Sequence, residues 1–188
     1  VRGVIAVVIV LAVVLLVGLY VLLTYNRLVA LRNNVDNSWS QVDVALKMRH
    51  DLIPNLVEAV KGYASHERGT FEAVTQAREA AVAAPAEAGA QLGAAEGLLA
   101  QVLGRLLVIA EDYPELKAST NFLALQEQLS SVESQIQIAR RVYNDTVETY
   151  LTKIQRIPSN FVAGAFGFGP REFFKAPVEA TATPTVSL

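Results

Sequence analysis

Residues 4–23, VIAVVIVLAVVLLVGLYVLL, form one run of twenty side chains with no charge and no strongly polar group. As a helix the run is roughly 30 Å long, the thickness of a bilayer core. No face of such a helix is polar, so protein or lipid must enclose it all round. A chain of 188 residues is too small to do so. A secretory hydrophobic region is shorter, ~7–15 residues, and ends at a small-residue cleavage site; the LLTYNRL that follows offers none. The run predicts an uncleaved transmembrane anchor over 1–24. Arg2 lies on one flank, Arg27 and Arg32 on the other. A short N-terminal tail kept in the cytoplasm would put the rest of the chain outside it.

The remainder is long enough for one core. A net charge of −2 gives no electrostatic footprint for nucleic acid. The chain has no cysteine, which excludes disulfides, thiolate metal sites and a cysteine nucleophile.

From Leu28 the apolar positions Val35, Trp39, Val42, Leu46, Ile53, Leu56, Val60 and Tyr63 follow a three-four alternation, with Arg32 and Arg49 at the two missing places. This is one stripe on one helix. It keeps its phase through DLIPNLVEAV (51–60), although Pro54 lacks the N–H that would bond the carbonyl of His50. The phase favours one helix kinked at Pro54; the alternative is a second helix N-capped by Asp51 with Pro54 in its first turn. Phe71, Val74, Arg78 and Ala81 define a second helix before AAPAEAG. Leu92, Leu99, Val102, Leu106 and Ile109 define a third, stopped by Pro114. Ser119-Thr120-Asn121 opens a fourth, carrying Phe122, Leu129, Ile136, Tyr143 and Tyr150 up to Pro158.

The predicted fold is all-α: an N-terminal transmembrane helix continuing into an antiparallel up-down four-helix bundle with long helices over 25–158, then an irregular Phe/Gly-rich membrane-proximal segment over 159–176 and a flexible tail over 177–188. NFVAGAFGFGPREFF (160–174) holds five of the seven phenylalanines, and Gly164, Gly167 and Gly169 argue against a stable helix there. An antiparallel last helix returns this segment to the bilayer surface. Phe161, Phe166, Phe168, Phe173 and Phe174, with Arg171, are then candidates for contact with lipid or a neighbouring subunit. The alternative is that they fold back over the base of their own bundle.

Catalytic constellations are missing. Neither His50 nor His66 has a Glu three residues before it, HERGTF is not the metalloprotease pattern, and GFGPRE lacks the lysine of a phosphate loop. His50 and Asp51 read as a surface pair, and Trp39 reads as core from its phase. If residue 65 lies opposite 118, Arg49 meets Glu133 and Asp43 meets Arg140 across the first and last helices. These would be register-setting pairs.

The segments YNRLVALRNNVDNSWSQVDVALKMRHDLIPNLVEAVKGYASHE, TQAREAA, YPELKAS, ARRVYNDTVETY and IPSNFVAGAFGF resemble, in order, the bacterial LemA family from Tyr25 to about Phe174. The resemblance implies one N-terminal span, a bundle of long antiparallel helices and a place in the bacterial cytoplasmic membrane. It implies no established enzymatic activity. Leu151 stands where the family commonly has Asn, and Ile157 where an aromatic residue usually precedes the proline; the tail after Ala176 is not covered. The expected function is a non-enzymatic membrane-anchored scaffold, without cofactor, that meets lipid and self-associates or docks a protein partner. The alternative is a ligand-sensing bundle hinged at Pro54.

Overall fold

The structure is a computed structural model, and the residues it describes are 1–85 and 89–175. Six helices follow one another: α1 (Arg2–Lys61), α2 (Arg68–Ala83), α3 (Gly89–Glu111), α4 (Pro114–Lys117), α5 (Thr120–Gln155) and α6 (Ser159–Ala165). No strand occurs among the described residues. The predicted tail lies outside them.

α1 runs for 60 residues, ~90 Å at the standard rise, and passes through Pro54 without interruption. Its first third is bare: none of its most hydrophobic stretch is covered by the rest of the protein. The α3 helix is also long and apolar enough to cross a membrane, but it is amphipathic. Leu92, Leu99, Val102, Leu103 and Leu106 are buried against neighbouring helices, whereas Leu98 and Val108 are exposed.

Beyond the bare stretch α1 pairs along its length with α5, and α2 pairs with α3. Two cores result. In the distal core Ile53, Leu56 and Val60 of α1 meet Phe71 and Val74 of α2, Leu99 and Leu106 of α3, Leu116 of α4, and Phe122 and Leu129 of α5. In the proximal core Leu28, Val35, Val42 and Leu46 meet Ile136, Tyr143, Val147 and Tyr150, closed by Val162, Phe168 and Phe174. The three-four alternation of both long helices supplies these facing stripes.

Two helices are additional to the expected set. Pro114 does not merely stop α3; it begins α4, where its missing N–H costs nothing. The expectation of a wholly irregular segment after Pro158 fails over 159–165. Only Gly164 of the three glycines falls within α6, and Val162 and Ala163 bury against the bundle. Ser119 is the N-cap residue of α5, but its side chain makes no capping hydrogen bond. Tyr63, expected on the α1 stripe, lies past the helix end and is exposed.

Candidate functional site

Between the two cores lies a buried polar centre. Arg49, on the inner face of α1, directs one guanidinium nitrogen to Glu133 of α5 at 2.9 Å and another to Glu96 of α3. Nε2 of the adjacent His50 lies 2.8 Å from the other Glu96 oxygen. Arg49, His50 and Glu96 are all buried, whereas Glu133 is partly open to solvent. Burial lowers the Arg49 guanidinium below its ordinary value, and Glu133 opposes that shift. Burial, then Arg49, then Arg78 lower His50 to about 4, against the opposing pull of Asp51 and Asp43. His50 is thus neutral near pH 7 and donates its Nε2 proton to Glu96. The centre binds α1, α3 and α5 electrostatically.

The surface pairing read for His50 and Asp51 is therefore corrected. His50 turns inward to Glu96, and Asp51 turns outward to Lys47 at 3.0 Å. The two neighbours point ~100° apart on the helix, so one can be buried while the other is solvated. Glu96 was not singled out in the sequence, although its spacing between Leu92, Leu99 and Leu103 puts a carboxylate inside an apolar stripe. Arg49 and Glu133 are brought together. Asp43 and Arg140 form no ion pair; the Arg140 guanidinium instead lies 4.6 Å over the Phe174 ring.

The Phe/Gly segment divides in two. Residues 167–175 run back along the α1–α5 pair as a strap. The Tyr150 hydroxyl donates to the Gly169 carbonyl and the Tyr143 hydroxyl to the Glu172 carbonyl, both at 2.8 Å. Asn144 holds both main-chain groups of Phe174, accepting from its N–H at 2.9 Å and donating to its carbonyl at 3.2 Å. Arg171 pairs with Asp36 at 2.9 Å. Phe168 is buried beneath Arg32, whose guanidinium lies 5.4 Å from the ring. Trp39 packs edge-on to Tyr143 at 5.0 Å and near Phe174 at 6.1 Å. Phe168 and Phe174 thus face their own chain, the alternative the sequence left open. Burial raises both Tyr143 and Tyr150 above the usual phenol range, with Arg171 opposing.

Phe161, Phe166 and, less fully, Phe173 remain exposed. A second apolar surface crosses the α1–α5 seam in the proximal half, where Val44, Ile138 and Val142 are exposed around a groove also lined by Gln41, Ala45 and Gln135. Among the described residues no three His, Asp or Glu side chains gather as a metal site.

Comparison with known proteins gives the family. The LemA family profile matches residues 38–188, and the chain belongs to that family. It is 25% identical over 178 residues to magnetosome protein MamQ 2 of Paramagnetospirillum magneticum, covering 82% of this chain and 65% of that one. It is 25% identical over 177 residues to magnetosome protein MamQ of Magnetospirillum gryphiswaldense, covering 81% and 65%. It is 27% identical over 144 residues to protein LemA of Metamycoplasma hominis, covering 73% and 63%. The chain therefore spans somewhat under two thirds of the length of these curated relatives. The uncovered apolar stretch of α1, long enough to cross a bilayer, points to a membrane location.

Proposed function

We propose that this LemA-family chain is a non-enzymatic, membrane-anchored helical scaffold whose copies associate side by side through the exposed α1–α5 seam. One observation carries the reading. The helix that emerges from the apolar run is the same helix that builds both cores, so every copy on one membrane presents Val44, Ile138 and Val142 at the same height above it. Confinement to a surface raises the effective concentration of such patches. The alternative of a hinge at Pro54 finds less support, because the carbonyl freed by that proline is held by Arg78.

The test is the mass of the full-length chain in mild detergent, by light scattering on a sizing column, beside the double variant Val44→Lys/Ile138→Lys. A discrete oligomer in the first and a monomer in the second are expected. A wild-type monomer at every loading concentration would remove self-association. An oligomer unchanged by the two lysines would remove the seam as its interface.

A further inference from the structure

α6 and its flanks sit at the level where α1 leaves its apolar run. The run ends at residue 23. Tyr25 lies one turn or less beyond it, and the Phe166 ring is 5.0 Å from the Tyr25 ring. Val21 packs on the proximal core, so cover from the rest of the chain begins at the last turn of the run. The α6 helix crosses this base, touching both α1 and α5. Its inner face, Ser159, Val162 and Ala163, is buried. Outside it Ile157, Phe161 and Phe166 are 73%, 70% and 55% exposed. Three large apolar side chains are thus held out from the protein at the height of a bilayer interface.

Charge at this height has one sign among the described residues. No Asp or Glu occurs between residues 1 and 35 or between 149 and 171. Arg32 is occupied by Phe168 of the strap and Arg171 by Asp36 of α1, whereas Arg27, Lys153 and Arg156 form no ion pair among the described residues. Tyr20 and Tyr25 flank the same level on α1, where aromatic residues with a polar tip concentrate at membrane interfaces. Ser159 braces the turn: its single hydroxyl proton is shared between the carbonyls of Lys153 and Arg156, at 2.7 and 2.8 Å. The apolar residues are therefore carried on a braced element.

We propose that α6, with Ile157 and Phe166, is an interfacial foot that seats the base of the bundle in the headgroup layer of an anionic bilayer. Phe161, Phe166 and Ile157 enter the boundary between headgroups and acyl chains, while Arg27, Lys153 and Arg156 meet lipid phosphates. The foot fixes the bundle's tilt and rotation on the membrane, which a single span does not do. This inference rests on the anchored reading of α1.

The absence of cysteine makes the test direct. Single cysteines at 157, 161 and 166, with controls at Val13 in the apolar run and Leu123 on the distal end of α5, are spin-labelled in the full chain and reconstituted in phosphatidylglycerol or phosphatidylcholine vesicles. Collision with oxygen and with a water-soluble nickel chelate gives the depth of each label. The foot positions are expected to be shielded from nickel several-fold relative to 123, to gain oxygen contact, and to lie shallower than 13. Shielding should be stronger in phosphatidylglycerol, and Lys153→Gln/Arg156→Gln should erase that difference. A wet foot with position 13 in lipid overturns the foot and leaves the anchor standing; a wet position 13 overturns both. Shielding accompanied by immobilisation and spin–spin broadening, without oxygen gain, would put a second copy on this surface and overturn a lipid contact. Equal shielding in both lipids would overturn recognition of anionic headgroups.

Discussion

Nε of Arg78 in α2 donates to the main-chain carbonyl of His50 in α1 at 2.8 Å. That carbonyl is the one whose helical partner would be the missing N–H of Pro54. The guanidinium replaces the lost intrahelical bond and ties α2 to α1 at the same point. This gives a specific coupling. Arg78→Ala should lower stability by about 1–3 kcal/mol, because it leaves a partly buried acceptor unpaired. Pro54→Ala restores the amide donor, so Arg78→Ala should cost less in that background by ~1 kcal/mol. Urea unfolding of the full chain in detergent, followed by the fluorescence of the single tryptophan, Trp39, measures the cycle. Equal costs in both backgrounds would show that Arg78 acts by packing alone.

The Arg49–Glu96 pair should be far more costly to break than the Arg49–Glu133 pair. Arg49 and Glu96 are 2% and 5% exposed, so Glu96→Ala leaves a buried guanidinium with Glu133 alone and His50 Nε2 without its acceptor, a loss of about 2–4 kcal/mol. The Glu133 side chain is 39% exposed, and water can replace it, so Glu133→Ala should cost ~0–1 kcal/mol. Replacing both buried charges, as Arg49→Met/Glu96→Leu, should cost less than Glu96→Ala alone. Urea midpoints of the three variants check the order. A Glu133 variant as unstable as the Glu96 variant would contradict it.

His50 should make stability fall in mild acid. Its folded value is lowered to about 4, first by burial, then by Arg49 and Arg78, from an unfolded value of ~6.5. The Asp51 and Asp43 carboxylates oppose that shift, and Glu96, which faces Nε2, is shared with Arg49. The unfolded chain therefore takes up the proton first. The contribution is fully present above pH ~6.5 and is lost as pH falls toward 4, on the order of 3 kcal/mol in total. His50→Gln should flatten that part of the stability profile. With only two histidines in the chain, carbon-13 labelling resolves both, and the His50 signal should titrate near 4. A midpoint above 6.5 would mean that Glu96 holds the ring as a cation.

The contrast between long and short range explains what the sequence could reveal. The stripes of α1 and α5 were legible because each burial position repeats every three or four residues over many turns. That same phase placed Arg49 opposite Glu133. The same phase pairs Arg140 with Asp43, but the strap adds an aromatic ring, Phe174, that the periodicity of two helices does not encode. Glu96 is illegible for the opposite reason: an acid within an apolar stripe looks like an interruption until α1 supplies Arg49 and His50. The Phe/Gly segment gave composition but no phase. Its division into buried Phe168 and Phe174 and exposed Phe161 and Phe166 depends on hydrogen bonds from Tyr143, Asn144 and Tyr150, which lie about 20–30 residues away along the chain.

The strap also reverses the usual effect of replacing glycine in a helix. Within a helix Gly→Ala ordinarily stabilises by about 0.5–1 kcal/mol through backbone entropy. Gly104, in α3, has open space where a Cβ would stand, so Gly104→Ala should show that gain. Gly93, three turns earlier in the same helix, has the Lys175 carbonyl oxygen against its would-be Cβ, and Gly89 has the Phe173 carbonyl oxygen at 2.6 Å. These are main-chain atoms, held in part by the bonds of Asn144 and Tyr143, and cannot swing aside as a side-chain tip would. Gly93→Ala should therefore push the strap off α3 and lower stability by about 1–3 kcal/mol, the cost of forcing a packed contact apart. Hydrogen exchange at the Phe174 amide, whose partner is Asn144, should accelerate in Gly93→Ala and stay unchanged in Gly104→Ala. A Gly93→Ala protein as stable as Gly104→Ala, with the Phe174 amide still protected, would show that α3 and the strap do not touch there.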